Sequence, residues 1–453
     1  MRKARCFLMS EKFFKSAMRI AIPVAVQSML QSSFSMIDQV MVGQLGTTEV
    51  AAVEIGGKPG FIFTFVSGAV ATVTGIMVSQ YMGKKDKAAV QRSLSVNLVV
   101  MLLLAAAFTI CSFVKPYEIA GIYVSDREVI FQAAEYIRTL SVLYLFSGIA
   151  TIFAVFIRSM DHAVYPMYIS AGAAVINTVL NWILIFGHFG VPAMGIRGAA
   201  VASVISQIIN MVLLTGVFLK LNGRLHFSMH LGREGWLQYF AMLLPVVFNE
   251  FLWTVGQNIN TYIYGHMGTK ELAAMSLTGP VQGLLVGALS GLSQAAGIMI
   301  GKRLGEGEYD QAYRESKRLC LYGAVGAAIL SGILILLRGA YTGLYQVEPE
   351  VREMGSSLLL AFALLAPIKV ENMILGGGVI RSGGRTKYIM IIDMCGTWLI
   401  GVPLGLFTGL VLHLPIFWVY FILSQEELFR LSISMFMFRG RKWMHTLADI
   451  GQG

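Results

Sequence analysis

IPVAVQSMLQSSFSMIDQVMVGQLGTTEVAAVEIGG, residues Ile22 to Gly57, aligns without a gap onto LPVVFNEFLWTVGQNINTYIYGHMGTKELAAMSLTG, residues Leu244 to Gly279, at an offset of 222. The identities are Pro23/Pro245, Val24/Val246, Leu30/Leu252, Ile37/Ile259, Gly43/Gly265, Gly46/Gly268, Thr47/Thr269, Glu49/Glu271, Ala51/Ala273, Ala52/Ala274 and Gly57/Gly279. The same offset carries Gly75-Ile76-Met77 onto Gly297-Ile298-Met299, and Gly83 onto Gly305. The chain is an internal duplication, expected to divide into residues 1–222 and 223–453.

The duplicated unit is too apolar for water. Hydrophobic residues make up 56% of the chain and charged residues 13%, and the mean hydropathy is +0.68. A soluble domain carries roughly a quarter charged residues. Lipid is therefore the solvent. About 20 apolar residues cross the hydrocarbon core, and about twelve such runs are present on that criterion. They lie near 16–41, 48–80, 93–113, 132–157, 164–187, 196–219, 236–263, 271–300, 319–337, 354–380, 388–408 and 414–437. Lipid offers no partner to a free N–H or C=O, so spans are helices or closed barrels. These runs are too long for barrel strands. The expected fold is all-α and integral to the membrane, with six helices per half. An even number per half makes the repeats parallel, related by an axis along the membrane normal, and halves so related place a substrate site near the bilayer midplane.

The net charge of +10 reflects topology. Lys and Arg gather in alternate connections: the N-terminal tail (Arg2, Lys3, Arg5, Lys12, Lys15), Lys84-Lys85-Asp86-Lys87 with Arg92, Lys220/Arg224/Arg233, Lys302-Arg303 to Arg318, Arg381/Arg385/Lys387, and Arg439/Arg441/Lys442. The intervening connections are sparse. By the positive-inside rule both termini are expected in the cytoplasm. No basic stretch is interleaved with aromatics, so no nucleic-acid partner is expected. The basic N-terminus precedes a run that contains Arg19 and Asp38 and lies inside the repeat, so it reads as a retained first helix rather than a signal peptide. Cys6, Cys111, Cys320 and Cys395 have no ligand spacing, and no metal or cofactor is expected. Intramembrane enzyme chemistry has no support: there is no His–Glu metal motif, nucleophile elbow or paired catalytic carboxylates within the spans.

Ionisable groups inside spans mark function by default, because the ionised form is expensive there. Asp38 lies among Met, Ile and Val of the first span, and its repeat partner is Asn260, which does not ionise. A carboxylate so placed can hold a proton, a sodium ion or a cationic substrate, and exclusive occupancy gives exchange. Asn177 and Asn181 are four apart and share one face of the fifth helix; Ser203 follows in the sixth. Their oxygens are hard ligands suited to sodium. In the second half Glu250 follows Pro245, and Glu371 and Asp393 fall in the tenth and eleventh helices. Glu371 and Lys369 are two apart and do not face each other. Glu54/Lys58 and Glu426/Arg430 are four apart and are expected to pair along one helix face. Pro23 and Pro245 occupy equivalent positions in the first helix of each half. Each removes a helical hydrogen bond and marks a candidate gate.

Several stretches resemble the multidrug and toxic compound extrusion (MATE) family across essentially the whole chain. They are Ser35-Met36-Ile37-Asp38-Gln39-Val40-Met41-Val42-Gly43-Gln44-Leu45-Gly46, Arg158-Ser159, Asn177-Thr178-Val179-Leu180-Asn181, Arg381-Ser382-Gly383-Gly384 and Trp398-Leu399-Ile400-Gly401-Val402-Pro403-Leu404. The resemblance implies two six-helix lobes in a V with a central cleft. It implies antiport of organic cations or toxic amphiphiles against H+ or Na+ by a monomer in a bacterial cytoplasmic membrane. It also implies a cation site at Asp38, Asn177, Asn181 and Ser203, and an ion or substrate role for Glu250, with Asn260, Glu371 and Asp393 as further candidates in that half. Some relatives carry an acid in place of Asn181 and Thr in place of Ser203, so proton and sodium coupling both stay open. The alternative is a flippase for lipid-linked sugars, which would favour a cationic cavity. Here the central charges are mainly acids.

Overall fold

The computed structural model describes residues 2–222, 226–228 and 231–447. Arg224, expected in the central connection, lies outside the described residues. The first half contains α1 (Arg2–Gly43), α2 (Thr47–Gly56), α3 (Lys58–Gly83), α4 (Lys87–Val114), α5 (Pro116–Gly121), α6 (Arg127–Leu140), α7 (Leu143–Ser159), α8 (Val164–Phe186) and α9 (Gly195–Asn222). The second contains α10 (Gly232–Met267), α11 (Thr269–Gly305), α12 (Tyr309–Gly343), α13 (Pro349–Asn372), α14 (Thr386–Met394), α15 (Val402–Leu406), α16 (Ile416–Leu423) and α17 (Glu426–Arg439). Among the described residues no strand occurs.

Ten of these helical segments are long and apolar enough to cross a membrane. The pair α6–α7, bent by 45°, makes an eleventh if it is one span. The last expected run, near 414–437, is helical but broken between α16 and α17 at Ser424-Gln425. The break falls beside Glu426, Glu427 and Arg430, charges that an uninterrupted apolar span would have to carry across lipid. Large apolar side chains stay exposed along the helices, including Leu103, Ile110, Leu336, Trp418 and Phe436. A surface so covered in hydrocarbon is suited to lipid.

Packing groups the described residues into two compact units. One comprises Met1–Ala25, Ser79–Asp86 and Gly232–Gly453; the other comprises Val26–Val78 and Lys87–Leu231. α1 passes from one unit to the other between Ala25 and Val26, two residues beyond Pro23. Proline there removes one hydrogen bond from the helix, which lowers the cost of a change in direction. α3 passes between units near its own end. Within the second unit, Val42, Ala52, Tyr136, Ile137, Ile185, Ile196 and Ala200 form one buried cluster, and Phe153 stacks on Phe218.

The second half departs from regular α-helix three times. Met373–Ile380, Cys395–Gly401 and Phe407–Val411 are π-helical. A π turn widens the helix and frees carbonyls. Ser293 Oγ donates to the Met373 carbonyl at 2.6 Å. Gly378 lies against the Ser293 carbonyl, where a Cβ would come within 2.5 Å. The run Gly376-Gly377-Gly378 lets α11 approach this widened turn.

Close packing near Asp38 gives a steric test. A Cβ at Gly56 would lie 2.5 Å from Cδ1 of the buried Tyr136 ring, whereas a Cβ at Gly43 meets nothing within 4 Å. Gly56→Val is expected to destabilise the protein by about 1–3 kcal/mol, the usual cost of overpacking. Gly43→Ala should be neutral or slightly stabilising, since Ala is the better helix former. Thermal unfolding in detergent measures both, and equal midpoints for the two variants would contradict this packing.

Candidate functional site

The second unit brings Asp38 of α1, Asn177 and Asn181 of α8 and Ser203 of α9 into one polar cluster. Asn181 Nδ2 donates to Asp38 Oδ1 at 2.8 Å. The Asn177 amide reaches both Asp38 and Ser203. Its nitrogen donates to Asp38 Oδ2 at 3.0 Å, and its oxygen accepts from the Ser203 backbone N–H at 3.2 Å. An ionised carboxylate only accepts, so two amide N–H donors suit it.

Two further observations bear on this cluster. Asn181 Oδ1 is buried and makes no hydrogen bond among the described residues. Nor does any Lys, Arg or His among them form an ion pair with Asp38. The carboxylate and the amide and hydroxyl oxygens make a hard-donor set that fits a sodium ion or a proton shared between oxygens. Helical spacing accounts for the geometry: Asn177 and Asn181 project from one face of α8, and α9 packs alongside it to present Ser203.

The acids of the second half are arranged differently. Asp393 of α14 accepts from Arg430 Nε at 2.9 Å and Nη2 at 2.5 Å, and from Asn249 Nδ2 at 2.9 Å. Arg430 Nη1 lies 3.5 Å from Glu427, which also accepts from Asn372 Nδ2 at 2.8 Å. Asp393 therefore has a full set of donors from α10 and α17. Glu250 stands 3.9 Å from Arg381, and the pair is partly exposed. Glu371 lies against Cys320 and Gly323 of α12, with Oε1 buried and unpartnered. Its neighbour Asn372 faces Glu427 instead, so Glu371 does not join the Asp393 network. Asn260 Oδ1 is buried and unpartnered. Ten residues separate Asn260 from Glu250 on α10, roughly 15 Å along the axis, so these two do not share a site.

Glu54 and Lys58 pair as their spacing predicts, at 2.5 Å. At the other expected pair, Arg430 forms ion pairs with Asp393 and Glu427. Glu426 instead fills the space above Gly401, where a Cβ would be 2.9 Å from its Cδ. The sequence reading missed Asn249, Asn372 and Glu427 as partners. The available signal was an unmatched Asp and Arg in apolar surroundings, 37 residues apart, with nothing in local spacing to join them.

The chain matches the MatE family model over residues 23–183 and again over 245–407, so the two matches begin at the duplicated prolines. It is 22% identical over 426 residues to YisQ of Bacillus subtilis (strain 168), described as an uncharacterized transporter, covering 93% of each chain. It is 27% identical over 419 residues to the probable multidrug resistance protein NorM of Rhizobium meliloti (strain 1021), covering 89% of this chain and 87% of that one. Its fold superposes on the Vibrio cholerae MATE transporter VcmN in the bent form with a TM-score of 0.87 at 14% identity, covering 95% of this chain and 97% of that one.

The Asp393 network predicts an asymmetry in stability. Arg430→Leu leaves the buried Glu427 and the half-buried Asp393 without their cation and is expected to cost about 3–5 kcal/mol. Adding Asp393→Asn to it should recover part of that loss. Thermal unfolding in detergent decides the matter: a single variant as stable as the parent would mean that the ion pair is not formed.

Proposed function

Because the chain belongs to the MatE family of membrane transporters, we propose that it is a secondary active exporter. It expels organic cations or toxic amphiphiles in exchange for inward H+ or Na+. The observation that carries this reading is Asp38, a membrane-helix carboxylate held by two neutral amides and forming no ion pair among the described residues. An unpaired carboxylate in a low-dielectric setting binds a cation strongly. H+ or Na+ at Asp38 competes with the Asn177 and Asn181 amide N–H groups that hold the bare carboxylate. Those amides sit on α8, so occupancy of one carboxylate biases the packing of α1 against α8. Glu250 with Arg381 is proposed as a substrate contact of the second half. Asp393 is assigned a structural role because Arg430 already neutralises it.

The remaining parts of the reading follow from the sequence. The halves 1–222 and 223–453 are the moving bodies of alternating access, the Lys- and Arg-rich connections and both termini face the cytoplasm of a bacterial cell, and one chain suffices because both halves are fused. Multidrug resistance is the description of the NorM relative and supports cationic, amphiphilic substrates here.

Uptake of a fluorescent organic cation into everted membrane vesicles tests this under an imposed proton gradient and then a sodium gradient. The expected result is gradient-driven uptake with one of the two ions, reduced at least about tenfold in Asp38→Asn, since the coupling group is lost. Glu250→Gln is expected to weaken substrate affinity and leave coupling intact. Normal gradient-driven uptake in Asp38→Asn would refute the assignment of Asp38. Failure of a cation panel under both gradients would refute cation antiport and favour transport of a lipid-linked sugar.

A further inference from the structure

The equivalent helices α3 and α11 cross at their Lys-rich ends, within one compact unit, and the crossing is reciprocal. A Cβ at Gly83 would strike the Lys302 carbonyl, and a Cβ at Gly305 would strike the Gln80 carbonyl. Gly83 and Gly305 are repeat partners, and so are Gln80 and Lys302. A Cβ at Gly301 would meet the side chain of Ser79, and these two are also equivalent. The backbones thus touch across a local pseudo-two-fold, at the last turn of each helix. Lys84 N–H caps the Gln80 carbonyl at 3.0 Å, and Glu306 N–H caps the Lys302 carbonyl at 2.9 Å.

The side chains break this symmetry. Gln80 is 1% exposed. Its Nε2 donates to the Ser382 carbonyl at 2.5 Å and the His445 carbonyl at 3.3 Å, and its Oε1 accepts from the Leu447 N–H at 2.8 Å. The residues beyond α17 that Gln80 grips are themselves packed down. Trp443 is fully buried, stacked on Phe438, with Nε1 donating to the Phe438 carbonyl at 3.2 Å. Its own carbonyl lies against Gly383, and Leu447 lies against Gly384. Arg441 donates to Asp310 at 2.8 Å and sits 4.4 Å over the Tyr313 ring. The stretch Arg381-Ser382-Gly383-Gly384, which carries part of the family resemblance, is therefore the seat of this segment.

We propose that residues 440–447 are a latch on the cytoplasmic face, and that Gln80 is the residue it holds. While the latch is seated, Gln80 ties the end of α3 to Ser382 and to residues 445–447, and the close α3–α11 crossing beside it is held. Transport requires the Gln80 bonds to break once per cycle. The placement of this end in the cytoplasm rests on the topology proposed above; the latch itself does not depend on which substrate is carried.

The test uses the full chain in membrane vesicles, with the four native cysteines replaced by serine and Ser79→Cys as reporter. Ser79 is fully buried, so a membrane-impermeant maleimide reaches a thiol there only when the crossing opens. Gln80→Ala and Trp443→Ala are each expected to speed labelling in everted vesicles about tenfold, the shift that loss of one or two buried hydrogen bonds or an equivalent contact brings. In the pair Ser79→Cys/Gly301→Cys the two Cβ atoms would lie 3.1 Å apart, close enough for a disulfide after slight relaxation. Oxidation of that pair should stop labelling and transport, and reductant should restore both. If either latch variant labels at the parent rate, or if the cross-linked protein transports as fast as the reduced one, the latch is refuted. Labelling is read without any substrate, so a protein that carries no cation still reports on the latch. Faster labelling seen only from the outer face supports the latch and inverts the proposed topology.

Discussion

Hydrocarbon supplies neither hydrogen-bond partners nor counter-charges, and this chain's structure follows from how it meets that shortage. Every spanning backbone is helical because nothing else satisfies N–H and C=O groups in lipid. The polar side chains divide into two classes under the same constraint. Asp393, Arg430 and Glu427, together with Asn249 and Asn372, form a network in which the acids meet a cation and amide donors. Asp38 has amides around it but no cation of its own. An acid so paired is stable and inert. An acid left without its cation is costly until one arrives, and in the proposed mechanism that cost couples its occupancy to the helices around it.

Much of this was legible in the sequence, for physical reasons that can be named. The duplication and the spans follow from apolar length and from a constant offset, both of which survive without tertiary information. Asp38, Asn177 and Asn181 were legible because an acid in an apolar run is anomalous and because four residues make one helical turn. Ser203 came from family resemblance, and the structure does place its backbone and hydroxyl beside Asn177. Other features were not legible. Asp393 and Arg430 belong to different helices, and no periodicity links them. Glu371 looked like a companion to the other acids of its half, but one residue of helical rotation, about 100°, sends it toward Cys320 while Asn372 takes the inner face. The break at Ser424-Gln425 and the three π-helical stretches arise from packing, which local propensity does not encode.

The duplication also explains what is symmetric and what is not. Close backbone approach at the α3–α11 crossing requires glycine on both helices, and both repeats supply it at the same position. Function requires the opposite. At 38 and 260 one repeat has a carboxylate and the other an amide; at 80 and 302 one has a buried glutamine and the other a lysine. Two identical halves would offer the same carboxylate twice. Substitution at a few matched positions makes the halves chemically unequal while leaving the shared packing at the glycines intact.

The length of the helices sets where such control can act. α3 spans 26 residues and α11 spans 37, and the longer is about 55 Å at 1.5 Å per residue. The hydrocarbon core is about 30 Å thick, so α11 must extend well past it. Its end and the end of α3 meet among Lys84, Lys85, Lys302 and Arg303, where water and headgroups replace lipid. A hydrogen bond broken in the hydrocarbon core leaves its groups stranded, whereas one broken in the interfacial region is offset by water. Reversible polar contacts therefore belong at the helix ends, and the proposed latch places Gln80 at such an end, one turn from Lys84 and Lys85.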